Sequence, residues 1–211
     1  MDEIRVERFR ADLVEWFGSN GREFAWRDPD ASLYEVFVAE FFLTQTPAGN
    51  VADVYPEFLD EFPSLDAIER SNVGTLADII EPLGFHNMRS EALHSIATDY
   101  ETVPDDPEEL RELSRVGHYV SNATVCFALN EALPIVDRNV NRVYERVFGD
   151  TYPDSQSDRI EFADRLVPRD DPRSFNLALL DFGAAICGPE PNCPECFATD
   201  YCRYYGGRVK Q

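Results

Sequence analysis

Four of the five cysteines in this 211-residue chain lie close together near its end. They are Cys187, Cys193, Cys196 and Cys202, with the spacing C-x5-C-x2-C-x5-C. Thiolates this close in sequence can converge on one soft metal centre, whereas disulfides in a chain of this length usually join distant segments. Structural zinc usually takes two tight pairs of ligands, and only one is present, so the all-thiolate set favours a 4Fe–4S cluster. Zinc and reduced cysteines without a metal remain alternatives.

A second candidate site surrounds Asp137, which follows the apolar segment 133–136 and precedes a predicted helix. An aspartate in this position can simply be a helix N-cap. The interpretation of Asp137 as a functional residue depends on the preceding segment, residues 113–129. This segment predicts the end of one helix, a tight turn at 115–117 and a second helix that begins at Tyr119. Because backbone N–H groups at a helix start bind anions, this hairpin predicts a phosphate contact.

Glu40 is a third candidate because it lies on the apolar stripe of its predicted helix, seven residues after Leu33 and three after Phe37. An unpaired carboxylate is costly in such a position, and burial favours its protonated form. A proton donor of this kind suits general acid catalysis. The alternative is a buried structural glutamate whose oxygens accept ordinary hydrogen bonds.

The net charge of −21 is extreme, and Lys210 is the single lysine. A densely carboxylated surface suits molar salt, where charge repulsion is screened, so we expect a halophilic cytoplasm; an acidic face for basic partners is the alternative. Residues 111–146 are the exception, with five arginines against four acids, and a polyanion can approach there. The charged N-terminus and the lack of a long apolar run predict a cytoplasmic protein with no membrane partner.

Helical periodicity dominates the chain, and no alternating run predicts a strand. Ser32 predicts the cap of a helix that Pro47 interrupts. The other predicted helices cover residues 3–17, 48–61, 64–70, 73–82, 89–100, 107–114, 119–129, 138–148, 156–167 and 172–187. The sequence therefore predicts a compact all-helical unit, with two lobes and a cleft between them.

Several segments together resemble the helix-hairpin-helix DNA glycosylases, which include endonuclease III and the adenine glycosylase MutY. The segments are FAWR at 24–27, AEFFLTQT at 39–46, LGFHNMRSEAL at 83–93, the hairpin, VDRNVNRV at 136–143 and the cysteines. The resemblance covers nearly the whole chain. It implies one all-α, two-lobed glycosylase unit over 1–211 that acts as a monomer on double-stranded DNA with a mismatched or damaged base.

The same resemblance divides that unit. One lobe runs from about residue 28 to 137 with the hairpin at 113–120, the second contains the N-terminal helix and 138–186, and an iron-sulfur loop spans 187–202.

Roles for individual residues also follow from the resemblance. It implies that Asp137 stabilises positive charge on the deoxyribose as the glycosidic bond breaks. Tyr119 stands where bifunctional members have a Schiff-base lysine, so it implies a monofunctional enzyme. Glu40 matches the glutamate that protonates the departing base in the MutY branch. Gln45 matches a glutamine that fills the space of the flipped nucleotide, and Asn139 matches a residue that helps to orient the catalytic site.

The hairpin residues Arg115, Val116, Gly117 and His118 are the remaining predicted DNA contacts. The family hairpin usually reads L-P-G-V-G, and here Ser114 and Arg115 replace the proline and the first glycine. Either Arg115 donates to a phosphate itself or the hairpin binds DNA more weakly. The first cysteine gap is also one residue shorter than the usual six.

The excised base is expected to be thymine or uracil opposite guanine, because the tyrosine of the hairpin and the segments TPAGNV, FNLALLDFGAAIC and CRYY are similar to those of archaeal thymine-DNA mismatch glycosylases. The alternative substrate is adenine opposite guanine or 8-oxoguanine, as in MutY. A protein of another class, a DNA-binding accessory protein without catalysis, is the third hypothesis.

Overall fold

A computed structural model describes residues 3–209, and Lys210 lies outside them. All regular structure in the described range is helical, which confirms the all-helical prediction. The α-helices are α1 (Glu3–Asn20), α2 (Leu33–Leu43), α3 (Ala48–Glu61), α4 (Leu65–Glu69), α5 (Val73–Ile79), α6 (His86–Asp99), α7 (Pro107–Glu112), α8 (His118–Leu129), α9 (Arg138–Phe148), α10 (Gln156–Leu166), α11 (Pro172–Ala185) and α12 (Arg203–Val209). None of the helices in this range is long and apolar enough to cross a membrane.

Most helix boundaries lie within three residues of their predicted positions. The start of α6 is the most informative difference, because the helix begins at His86 and the prediction began it at 89. Phe85 immediately precedes it with a left-handed backbone, φ 52° and ψ 24°. α5 ends at Ile79, before a short 3₁₀ turn at Glu81–Leu83 that contains Pro82. The helix α12 was not predicted.

The described residues form two compact units. The first, named here the cysteine unit, contains residues 1–22 and 130–211 within the described range, and α1 packs on α11 inside it. Its core is aromatic, with Phe9 in edge-to-face contact with Phe148 and Phe175. Such contacts add to the apolar area that the rings bury. This core holds α9, which carries the candidate residue Asn139, against α11.

The second unit, named here the hairpin unit, contains residues 23–129. α2 lies against α8, and α5 lies against α6. α2 is apolar on nearly every side, and it begins with a capping box at Ser32. The Ser32 hydroxyl accepts a hydrogen bond from Glu35 N, and the Glu35 carboxylate accepts one from Ser32 N. A helix buried all round holds its side chains in fixed positions, and Glu40 is one of them.

Candidate active site

Asp137 is the N-cap of α9, as its position in the sequence predicts. Its Oδ1 accepts a hydrogen bond from Val140 N at 2.7 Å, and its Oδ2 accepts one from Asn139 Nδ2 at 3.2 Å. Asp137 as a residue is half-buried, neither fully exposed nor closed off from solvent. Two donors on different oxygens fix the plane of the carboxylate, which is the preorganisation that electrostatic catalysis requires.

A chain of hydrogen bonds connects Asp137 with the first cysteine. Asn139 Oδ1 accepts from Arg142 Nη2 at 2.8 Å. The same guanidinium donates to Gly183 O and, through Nε, to Cys187 O, each at 2.8 Å. Arg142 therefore bridges α9, α11 and the start of the cysteine loop, and it holds the amide that contacts Asp137.

The four clustered cysteines line one cavity of the cysteine unit, together with Arg146 and Tyr204 among others. Arg146 donates to Cys187 O, Gly188 O and Pro189 O, and its Nη1 lies 3.6 Å from Cys187 Sγ. Its guanidinium also lies over the Tyr204 ring, 4.9 Å from the centroid. These contacts fix the first residues of the loop, including the shortened gap after Cys187.

The thiols of this cavity are partly desolvated. Burial raises the pKa of Cys196 to about 11, and it also raises the pKa of Cys187 and Cys202, although the nearby Arg146 opposes the shift at Cys187. Within residues 3–209 no group of three or more His, Cys, Asp or Glu side chains is arranged around the position of a single metal ion. The four cysteines thus line one cavity, and the described residues are not gathered around a metal position. Cys126 is buried in α8 of the other unit.

The predicted hairpin is present between α7 and α8. Its first helix, α7, ends at Glu112, whereas the prediction extended it to residue 114. Val116 N donates to Leu113 O at 3.1 Å to close the turn, and the Val116 side chain is buried. Gly117 precedes the first turn of α8, and the space where a larger residue would carry its side chain is open, with no atom within 4 Å. Open space at Gly117 leaves the first amides of α8 approachable, as a backbone phosphate contact requires.

Arg115 adopts the left-handed conformation that the family glycine suggests, with φ 63°. The strain is therefore retained although the side chain is large. Its Nη2 lies 3.3 Å from Met88 Sδ. Arg115 and the predicted residue Gln45, which also has a positive φ of 60°, line one cavity of the hairpin unit.

Five residues that line this cavity were not predicted as site residues: Phe41, Thr44, Phe85, Met88 and Arg89. Phe85 and Met88 are 56% and 40% exposed, and Arg89 is 5% exposed. Large apolar side chains in contact with water are unusual and often mark binding surfaces. Phe85, Met88 and Arg89 belong to the segment LGFHNMRSEAL, which supports the family resemblance but does not by itself predict that these side chains line a cavity.

Glu40 is buried in α2 with 2% of its surface exposed, which confirms the burial expected from its position on the helix. Tyr119 lies in the first turn of α8 and is half-buried, and His118 beside it is exposed. The structure thus brings together Asp137 with Asn139, Gln45 with Arg115, and the four cysteines. Glu40 and Tyr119 belong to the hairpin unit, whereas Asp137 belongs to the cysteine unit.

Comparison with known proteins places these features in a family. A thymine/uracil-DNA glycosylase of Methanothermobacter thermautotrophicus is 32% identical over 93% of both chains. An adenine DNA glycosylase of Mycobacterium tuberculosis is 34% identical over 92% of this chain and 66% of the relative. The solved structure of a thermostable thymine-DNA glycosylase is 30% identical, with a TM-score of 0.92 over 97% of this chain and 98% of that one. These similarities confirm the expectation of a DNA glycosylase. Residues 38–169 match the model of the HhH-GPD superfamily, and the chain belongs to this superfamily of base excision DNA repair proteins.

Proposed function

We propose that the protein is a monofunctional DNA glycosylase that releases thymine or uracil opposite guanine. The main observation behind this proposal is the fixed carboxylate of Asp137, which accepts hydrogen bonds from Val140 N and Asn139 Nδ2 in a half-buried residue. A cation that develops on a deoxyribose is stabilised by an anion that needs no reorganisation. The hairpin, with an open approach to the start of α8, supplies the backbone contact for DNA.

The reaction is a hydrolysis. The bond between C1′ of the sugar and the base nitrogen breaks, its electron pair leaves with the base, and Asp137 stabilises the positive charge left on the sugar. A water molecule then forms a bond to C1′ and loses a proton to solvent, while the departing base gains one. Glu40, buried in α2, is the proposed donor of that proton. Base flipping brings the nucleotide out of the duplex before these steps.

Tyr119 determines what remains after base release. A phenol cannot form the Schiff base through which an amine begins strand cleavage. The proposed product is therefore an intact strand with an abasic site.

The choice of base rests on the relatives. One relative and one solved structure that cover nearly the same length as this chain are named for thymine. Uracil differs from thymine by the loss of one methyl group, and a pocket discriminates weakly against a missing methyl. Adenine release is the second candidate, favoured by the similarity to an adenine DNA glycosylase and by the buried Glu40.

We also propose that the four cysteines of the C-terminal loop hold a 4Fe–4S cluster. Four thiols that line one cavity supply the all-thiolate ligand set that such a cluster takes, and only one tight C-x2-C pair is available for structural zinc. Arg146 would place a positive charge beside the anionic sulfur atoms. A bound cluster would supply a covalent cross-link within the loop and a one-electron redox centre.

Metal analysis tests the cofactor. We expect about four iron atoms and visible absorbance for each chain, from the four-thiolate chemistry. Cys193→Ser should lower both, whereas Cys126→Ser, which removes the thiol of the other unit, should leave them unchanged. One zinc ion for each chain, or no bound metal after anaerobic purification, would contradict the assignment.

Base release tests the enzymatic function. End-labelled duplexes containing G:T, G:U, A:G, adenine opposite 8-oxoguanine or thymine glycol are incubated with the protein in high potassium chloride, and breaks are counted before and after alkali. Breaks that need alkali in the G:T and G:U duplexes support the proposal. Release from the adenine duplexes alone assigns the second candidate, and no release from any duplex supports a binding protein.

A further inference from the structure

The cavity lined by Gln45, Phe85 and Arg115 has a volume of about 310 Å³, at the lower end of the range for small-molecule sites. Phe41, Phe85 and Met88 supply its apolar walls, and two arginines supply its positive charge. All its residues belong to the hairpin unit. In a chain with a net charge of −21, a cavity with two guanidinium groups and no acid in its lining calls for an explanation.

Arg89 forms the fixed part of this cavity. Its Nη2 donates to Thr44 O at 2.5 Å and to Thr46 Oγ1 at 2.8 Å, and its Nη1 donates to Leu83 O at 3.3 Å. It thereby holds the main chain before Gln45 and before Phe85. Burial lowers the pKa of Arg89, because it disfavours the charged form of the guanidinium. The guanidinium therefore makes the cavity attractive to an electron-rich group.

Arg115 is the part of the cavity that can change partners. It is exposed, and its contact with Met88 Sδ is with a thioether, which is a weak acceptor. A carbonyl or ring nitrogen of a ligand is a better acceptor, so exchange of partners costs little. The planar fork of Arg115 can then donate two parallel hydrogen bonds.

The apolar walls of the cavity favour one chemical class of ligand over another. A phosphate group is fully hydrated and gains nothing from the ring of Phe85 or the thioether of Met88. A planar base gains both, since it stacks on apolar and aromatic groups and offers polar atoms only at its edge. When a nucleotide flips out of a duplex, its former partner is left unpaired, and its polar edge loses its hydrogen bonds.

We propose that this cavity receives the base opposite the excised one, and that Arg115 selects guanine there. This inference rests on the proposed function, because it is the flipped thymine or uracil that leaves the guanine unpaired. Guanine presents two adjacent acceptors, N7 and O6, which match the fork of an arginine. Adenine presents an amino group in place of O6, which opposes one of the two donors.

Binding to a duplex without an excisable base tests the proposal directly. The probe carries a tetrahydrofuran abasic analogue opposite guanine, 7-deazaguanine or adenine, and all affinities are measured at one potassium chloride concentration. We expect the wild type to prefer guanine by about fivefold or more over the other two, from the usual worth of a bidentate contact. Arg115→Gln should bring the three affinities within about twofold of one another, by the same reasoning.

Three further variants make this comparison specific. Arg115→Gly relieves the positive φ, so a loss of guanine preference in it cannot come from unfolding. Arg115→Lys keeps the charge and loses the fork, so it should bind DNA well and lose most of the preference. Arg70→Gln removes an exposed arginine of the same unit that pairs with Asp66, and it should keep the preference of the wild type.

Two results would overturn the inference. An equal loss of affinity for all three duplexes in Arg115→Gln, restored by Arg115→Lys, would make Arg115 a phosphate contact. A guanine preference that survives in Arg115→Gln and Arg115→Gly would assign the selection to other groups. The probe has no base to release, so this measurement is independent of the proposed enzymatic function. A guanine preference that depends on Arg115 would support the inference even if thymine and uracil were not released. Base release without such a preference would reject the inference and leave the proposed function standing.

Discussion

Asn139 donates a hydrogen bond from its side-chain amide to Oδ2 of Asp137, 3.2 Å away, while the main chain of α9 holds the other oxygen. The carboxylate is therefore both the cap of a helix and a candidate catalytic group. These two roles can be separated by substitution, because an asparagine caps a helix as well as an aspartate and carries no charge.

Asp137→Asn should thus remove catalysis and keep the fold. We expect the single-turnover rate of base release to fall by about 100-fold or more, as for loss of one electrostatic contact to a transition state. The melting temperature should stay near that of the wild type. Asp137→Ala should also lose about 1 kcal/mol of unfolding free energy with the cap. Unchanged base release in Asp137→Asn would reject the catalytic role.

Arg142 is expected to position Asp137 through Asn139. Arg142→Leu removes three hydrogen bonds, to Asn139 Oδ1, Gly183 O and Cys187 O, so we expect a loss of about 2–3 kcal/mol in unfolding free energy. The base-release rate should fall by about tenfold, while affinity for abasic-analogue DNA changes little. Denaturant unfolding and single-turnover kinetics measure the two effects.

The control for Arg142 is Arg165→Leu, which removes an exposed arginine paired with Glu161 on α10 of the same unit. It should change the unfolding free energy by no more than about 1 kcal/mol. Equal losses of affinity and of rate in Arg142→Leu would indicate general damage to the unit and not a positioning role.

Glu40→Gln tests the proposed proton donor without a change of shape. We expect base release to slow by about 100-fold, within the usual range for general acid catalysis, with abasic-analogue binding retained. Glu35→Gln is the matched control, because it removes a charge from the same helix and a glutamine can still complete the capping box with Ser32. If both variants release the base at the wild-type rate, Glu40 is a structural residue.

Tyr119→Lys should add strand cleavage to base release. The new amine lies at the position of the Schiff-base lysine of bifunctional relatives in the family resemblance, and an amine can attack the opened sugar. We expect breaks without alkali and a covalent protein–DNA adduct after borohydride reduction. Tyr119→Phe has no amine and should remain dependent on alkali. The absence of an adduct in Tyr119→Lys, with base release intact, would contradict the assignment of this position.

Salt should stabilise the protein, because its net charge is −21. The Debye length falls from about 10 Å at 0.1 M to about 3 Å at 1 M, so repulsion between exposed carboxylates weakens. We expect the melting temperature to rise steadily with potassium chloride over this range, as a halophilic origin would require. Sorbitol at equal osmolarity does not screen charge and should have a smaller effect. A melting temperature that falls with salt would contradict this interpretation.

Local rules were enough for much of the helical structure and for part of the site. The cap at Asp137 and the helix after it depend on side chains within four residues, and the prediction of 138–148 matches α9. The burial of Glu40 follows from its spacing to Leu33 and Phe37 on one helix. The close spacing of the four cysteines predicts that their side chains lie near one another, and in the structure all four line one cavity.

Tertiary structure alone decided how distant segments meet. The cavity of Gln45, Phe85 and Arg115 joins three segments about 30 to 40 residues apart, and each of these residues has a positive φ that its own type disfavours. Likewise, Arg142 reaches Cys187 only because α9 and α11 pack together. Helix periodicity and capping act over a few residues, so they determine which helices form, whereas packing of the whole unit determines which side chains face one another across its cavities.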